Sequence, residues 1–168
     1  MRHVWLAAVL LAGFAAPAFT CDLTAGPGAV VRYSEGKSGG MATIGCIFGH
    51  KWELRGYYIG EQRIYGGQVV ISGFPAVSTS RVWMFREGRR FQPILSVGLI
   101  VKGSQRCRYD GDINCNRQLP LPVSFLATAG FKWGDVLVTL GHASNSGLDH
   151  GPEAKNLGLD HLRAEVWF

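Results

Sequence analysis

The stretch Leu162-Arg163-Ala164-Glu165-Val166-Trp167-Phe168 decides the fold. Side chains alternate across an extended strand. Leu162, Ala164, Val166 and Phe168 therefore form one fully apolar face, and Arg163 and Glu165 point the other way. The same period of two recurs upstream. In Lys51-Trp52-Glu53-Leu54-Arg55-Gly56-Tyr57-Tyr58, the polar residues Lys51, Glu53 and Arg55 alternate with Trp52 and Leu54. Pro93 to Lys102 puts Leu95, Val97, Leu99 and Val101 on one face, with Ser96, Gly98 and Lys102 on the other beside Ile94 and Ile100. Val123 to Lys132 repeats that scheme, and Val136, Val138 and Leu140 continue it. Arg81 to Arg86 is less clean, being apolar on both sides in its middle.

No segment of the mature chain has a helical period, and Gly-containing turns separate the alternating runs: Glu35 to Gly40, Gly66-Gly67, Glu87-Gly88 and Trp133-Gly134-Asp135. Seven or eight strand candidates over roughly 150 residues suit an eight-stranded barrel with modest loops. A soluble sandwich would alternate similarly. Two features favour a membrane barrel: small or polar residues on the presumed inner face, and the terminal aromatic, which resembles the last-strand signal of outer-membrane barrels. The expectation is an all-β, antiparallel, up-and-down eight-stranded outer-membrane β-barrel over residues 19–168, without internal repeats or a transmembrane helix.

Residues 1–18 read as a secretory signal: a basic start at Met1-Arg2-His3, an apolar run from Val4 to Phe14 too short to span a bilayer, and a small-x-small site at Ala16-Pro17-Ala18. A lipidated Cys21 is the lesser alternative, because Phe19 and Thr20 are poor occupants of the positions before it. Export leads to an oxidising compartment, where Cys21, Cys46, Cys107 and Cys115 can pair in three ways. Cys107 and Cys115 flank a polar, loop-like segment, Arg108 to Asn114, which leaves Cys21 with Cys46. The formal charge of +5 and the pI of 9.2 favour anionic surfaces, lipopolysaccharide phosphates among them. Nucleic acid is excluded as a partner by export.

Leu140-Gly141-His142-Ala143-Ser144-Asn145 carries the chemistry. Residues two apart on a strand share a face, with Cβ atoms roughly 7 Å apart. An imidazole at 142 and a hydroxyl at 144 thus have the spacing of a base and a nucleophile. Both continue the parity of Val136, Val138 and Leu140, so they lie on the apolar face, which in a membrane barrel faces lipid. Unpartnered polar groups there are costly. Catalysis on a lipid acyl ester gives them a reason; a position at headgroup height gives another. A third group should orient His142 through its other ring nitrogen. Asp149, Glu153, Asn156 and Asp160 all follow within reach of a returning strand.

The segment from about Arg90 to Phe168 resembles the outer-membrane lipid A 3-O-deacylases: an apolar strand running into His-x-Ser-Asn, a polar Asn/Gly/Pro-rich turn, and a last strand ending in Phe. The resemblance implies Ser144 as nucleophile, His142 as general base and later acid, and an oxyanion site from Asn145 with the Gly147 amide. In that family the acid follows the serine by about a dozen residues, usually in the step Asn-x-Gly-x followed by an acidic or amide residue. Counted that way, the position falls on Asn156. An amide fixes a histidine tautomer yet stabilises an imidazolium less than a carboxylate does. Glu153 is therefore a second candidate.

The resulting expectation is an outer-membrane serine esterase that removes the 3-O-linked hydroxyacyl chain from lipid A, with the membrane and lipopolysaccharide as partners, a homodimer as a further form, and no cofactor or metal. His3, His50, His150 and His161 lack metal-ligand spacing. The alternatives are a non-catalytic structural or adhesive outer-membrane barrel, and a soluble periplasmic barrel that binds a lipid inside.

Overall fold

Eleven strands make up the described part of the chain in the computed structural model, which covers residues 20–31, 39–64, 69–103, 107–109, 123–144 and 158–168. They are β1 (Cys21–Val31), β2 (Gly39–Phe48), β3 (Trp52–Ile59), β4 (Gln62–Ile64), β5 (Val69–Ile71), β6 (Phe74–Met84), β7 (Phe91–Lys102), β8 (Cys107–Tyr109), β9 (Val123–Trp133), β10 (Val136–Ser144) and β11 (Leu159–Trp167). Eight close into an antiparallel barrel in the order β1-β11-β10-β9-β7-β6-β3-β2, as expected. The short β4, β5 and β8 form a separate antiparallel sheet at the end of the barrel that carries the long connections. The other end has tight turns at Gly49–Lys51, Phe85–Arg90 and Gly134–Asp135.

The alternation also holds, with its polarity reversed relative to a soluble core. Leu95, Val97, Leu99 and Val101 of β7 are all exposed on the outside, while Ile94, Ser96 and Ile100 are buried inside. Val123 and Phe125 of β9, Leu162 and Val166 of β11, and Ile44 and Tyr58 likewise face out. At the short-turn end Trp52, Trp83, Phe85, Phe91, Trp133 and Phe168 are exposed as a ring of aromatics. An apolar outer band edged by aromatics is what a barrel presents to a bilayer. The soluble, lipid-binding alternative needs the opposite arrangement and is set aside.

The lumen is filled in layers. Ile47, Val82, Ile94, Leu137 and Trp167 pack at the short-turn end. Val30, Met41, Tyr57, Ile59, Phe74, Ile100, Leu126 and Leu159 pack at the other. Between them lie the buried charges Glu53, Arg55, Arg163 and Glu165. Arg55 donates to Glu53 (Nε to Oε1, 2.8 Å), to Glu165, and through Nη2 to Thr24 Oγ1 at 2.9 Å. Thr43 also bonds Glu165, and Arg163 Nε donates to Thr139 Oγ1 at 2.8 Å. The wet face read from Glu53, Arg55, Arg163 and Glu165 is thus the inside. Gly45 sits opposite Arg55 in the β2–β3 register, where a Cβ would lie 2.7 Å from Arg55 Cζ. The missing side chain makes room for the guanidinium.

Three local features depart from the sequence reading. The clear alternating runs begin only at Lys51, yet β1 and β2 precede it. Both are rich in Gly and Ala, and β1 contains Pro27, all poor strand formers. The β1–β11 register runs from Thr24↔Trp167 to Val31↔Asp160 and is interrupted at Gly26 and Pro27, where Pro27 has no N–H to give. Second, β6 starts at Phe74 and stops at Met84, so Phe85 and Arg86 belong to a turn in which Arg86 has φ 59°. Third, Cys107 opens the strand β8. Cys21 and Cys46 are joined by a disulfide between β1 and β2 with Cα atoms 5.5 Å apart, as expected, while Cys115 lies outside the described residues.

Removing one partner of a buried charge group leaves the others uncompensated, at a cost of about 3–5 kcal/mol, whereas replacing both by apolar residues is often neutral. Arg55→Met is therefore expected to lower unfolding stability in that range. The double variant Arg55→Met/Glu165→Leu, which leaves Glu53 with Arg163 at 3.9 Å, should recover most of the loss. Urea titration of the barrel in detergent or lipid, followed by tryptophan fluorescence, measures both.

Candidate functional site

The β9–β10 connection is only Gly134-Asp135, with Gly134 in the left-handed region at φ 57°, so it leaves no slack in the register. Val136, Leu140 and His142 are consequently exposed on the outside, whereas Leu137, Thr139, Gly141 and Ala143 are buried. Ser144 shares the parity of His142 and is half-buried at the end of β10. The expected outward placement of His142 is observed, at the end of the barrel that carries the long connections.

The β10–β11 register places Asp160 directly across from His142. The two side chains meet, with His142 Nδ1 2.6 Å from Asp160 Oδ1. The imidazole is about half exposed, at 52%, and the carboxylate is more sheltered, at 19%. An ionised carboxylate only accepts, so the tautomer that suits this contact carries its hydrogen on Nδ1 and keeps a lone pair on Nε2. In that tautomer the ring has the form a general base requires, with its Cε1–Nε2 edge toward Gly158. On its other side His142 faces Ala127 of β9, and Ser144 faces Phe125. Leu140 and Leu162, cross-strand partners on the same outer face, adjoin the pair within the apolar band.

Gly158 completes the seat. It has φ 63°, and a Cβ there would lie 2.5 Å from His142 Cε1 and 2.9 Å from the Ala143 carbonyl oxygen. Any side chain at 158 would collide with the ring as well as strain the backbone.

Asp160 is one of the several polar residues that follow Ser144, whereas the family's spacing from Ser144 points to Asn156. Glu153, Asn156, Asn145 and Gly147 all lie outside the described residues. The signal that singles out Asp160 was available: Asn156-Leu157-Gly158-Leu159-Asp160 is itself an Asn-x-Gly-x-acid step, four residues later than the count allows because the preceding connection is longer. Among the described residues no cluster of His, Cys, Asp or Glu suits a metal ion.

No protein-family model matches the chain, and no curated protein matches it. Among solved structures it is similar to Ail, the attachment invasion locus protein of Yersinia pestis, in complex with the heparin analogue sucrose octasulfate. The match is 11% identical, covers 88% of this chain and 95% of that one, and has a TM-score of 0.42. At that level nothing about activity or ligand transfers from one protein to the other.

If Gly158 seats the ring, Gly158→Ala should displace the imidazole and weaken its bond to Asp160. The downfield Nδ1–H proton resonance of His142, seen by NMR in micelles, should be present in the parent and broadened or lost in the variant. A resonance unchanged in position and width would show that the ring does not depend on this glycine.

Proposed function

We propose that the chain is an outer-membrane barrel that hydrolyses an ester-linked acyl chain of a lipid lying beside it, with the 3-O-hydroxyacyl group of lipid A as the substrate. The observation that carries this reading is the His142–Asp160 pair on the outer face, two residues before a hydroxyl of the same parity. A lipid ester in the adjoining leaflet reaches such a face directly.

In this reading His142 Nε2 removes the Ser144 hydroxyl proton as Oγ attacks the ester carbonyl, and Asp160 stabilises the imidazolium through Nδ1. The tetrahedral oxyanion collapses, the carbon–oxygen bond to the lipid alcohol breaks, and His142 returns the proton to the departing alkoxide. A water molecule, activated by the same imidazole, then releases the fatty acid from Ser144 and restores the hydroxyl. Asp160, in place of Asn156 or Glu153, supplies the carboxylate that the resemblance to lipid A 3-O-deacylases calls for. Apolar Leu140 and Leu162 beside the pair give acyl chains a surface to lie against.

A second reading, a non-catalytic structural or adhesive barrel, has an observation of its own. The β4–β5–β8 sheet is built from connections at the same end as His142 and offers a folded surface for contact with another molecule. The filled lumen and apolar band serve that role as well as they serve an enzyme.

The two readings separate in one experiment. Expressed in a Gram-negative host, the enzyme should remove a hydroxyacyl chain from lipid A, seen as a discrete mass loss. Ser144→Ala should abolish the loss, and Asp160→Asn should slow it by up to about 10⁴-fold, the scale seen when a triad carboxylate becomes an amide. Unaltered lipid A in cells containing folded parent protein would favour the non-catalytic barrel.

A further inference from the structure

The short-turn end carries a concentration of cations that the proposed hydrolase site, at the opposite end, does not use. Arg86, Arg89 and Arg90 all come from the single β6–β7 turn and are exposed. That turn is pinned: Phe85 N donates to Pro93 O at 2.9 Å, Arg89 N to Arg86 O at 3.1 Å, and Gln92 Nε2 to Arg89 O at 2.9 Å. Arg86, Arg89 and Phe91 line an open recess on this rim. Arg90 lies over Trp133, 5.8 Å from the ring centroid, and Arg81 over Trp52 at 5.3 Å. Lys51 and Lys132 are at the same end, with the Lys132 ammonium 3.9 Å over Trp167.

Acidic groups at this end are fewer. Asp22 faces His50 at 3.5 Å, and Glu87 and Asp135 occupy turns. No carboxylate among the described residues forms an ion pair with Arg86, Arg89 or Arg90. The exposed aromatics Trp83, Phe85, Phe91 and Trp133 adjoin the same turn. Rings of this kind settle at the headgroup level of a bilayer, which puts the three guanidinium groups at the height of lipid phosphates. Guanidinium is also the side chain best matched to phosphate oxygens.

From this we infer that the β6–β7 turn, with Arg86, Arg89 and Arg90, is a binding site for the headgroups of anionic phospholipids in the leaflet at the short-turn end. The inference depends on the chain spanning a membrane and is independent of whether it hydrolyses anything. The site acts through charge and phosphate geometry together. The protein accordingly enriches anionic lipid around one quadrant of its rim, between β6 and β9.

Tryptophan quenching by brominated lipid tests this, since Trp52, Trp83 and Trp133 stand at that rim. The full chain is folded into phosphatidylcholine vesicles, alone or mixed with phosphatidylglycerol, with the bromine placed on one lipid or the other. The parent should prefer phosphatidylglycerol by at least about fivefold, the effect of one well-placed cation at a membrane surface. The preference should fall toward one in Arg86→Gln/Arg89→Gln/Arg90→Gln and persist in large part in the corresponding triple Lys variant. If the triple Gln variant does not fold, Arg89→Gln alone should still reduce it measurably.

Equal quenching by the two lipids in the parent, or a preference unchanged by neutralisation, overturns the inference while leaving the barrel in the membrane. Failure of the folded parent to insert into either vesicle overturns the inference and the membrane reading together. Loss of the preference on adding inorganic phosphate, but not sodium chloride of equal ionic strength, would mark a site for free phosphate and also overturn it.

Discussion

Closure of the sheet between β1 and β11 is the contact on which the remainder of the molecule depends. A strand edge left open in hydrocarbon would leave a row of peptide groups without partners, each costing several kcal/mol. Here the first and last strands of the barrel meet over a register from Thr24↔Trp167 to Val31↔Asp160, and Phe168 N extends it to Leu23 O at 2.8 Å. The seam tolerates Pro27 at the interruption in its pairing. The same last strand supplies Arg163 and Glu165 to the lumen and Asp160 to the outer face, so joining the ends also assembles the interior and the His142 pair.

Once the sheet is closed, period-two alternation assigns every side chain to lipid or lumen. That explains how the chain holds four buried charges and an exposed band of Leu, Val, Ile and aromatics without contradiction. The cations and carboxylates neutralise one another inside, with Thr24, Thr43 and Thr139 taking further hydrogen bonds. Among the described residues the outer face offers little such company for a polar group, so a hydrogen-bonded pair there draws notice. His142 and Asp160 are cross-strand partners at the band's edge, and each gives the other what the surroundings do not.

Much of this was legible in the residues. Clean alternation in Pro93 to Lys102 and in Val123 to Lys132 gave β7 and β9, and the parity of Val136, Val138 and Leu140 correctly turned His142 outward. Strands β1 and β2 were hidden because their Gly, Ala and Pro content reflects space for Arg55 and the closing seam, and neither requirement is local. The partner of His142 was obscured for a different reason. Counting along the chain assumes a connection of fixed length, but cross-strand register is set by pairing, and pairing brought Asp160 opposite. The small β4–β5–β8 sheet could not be read at all, since its strands of three residues are too short to show a period.

The stacked layers inside the barrel have one more implication. With Ile47, Val82, Leu137 and Trp167 at one end, Ile59, Phe74, Ile100 and Leu126 at the other, and paired charges between them, the described residues pack the lumen in the manner of a protein core, so the inward-facing side chains hold the wall together from within.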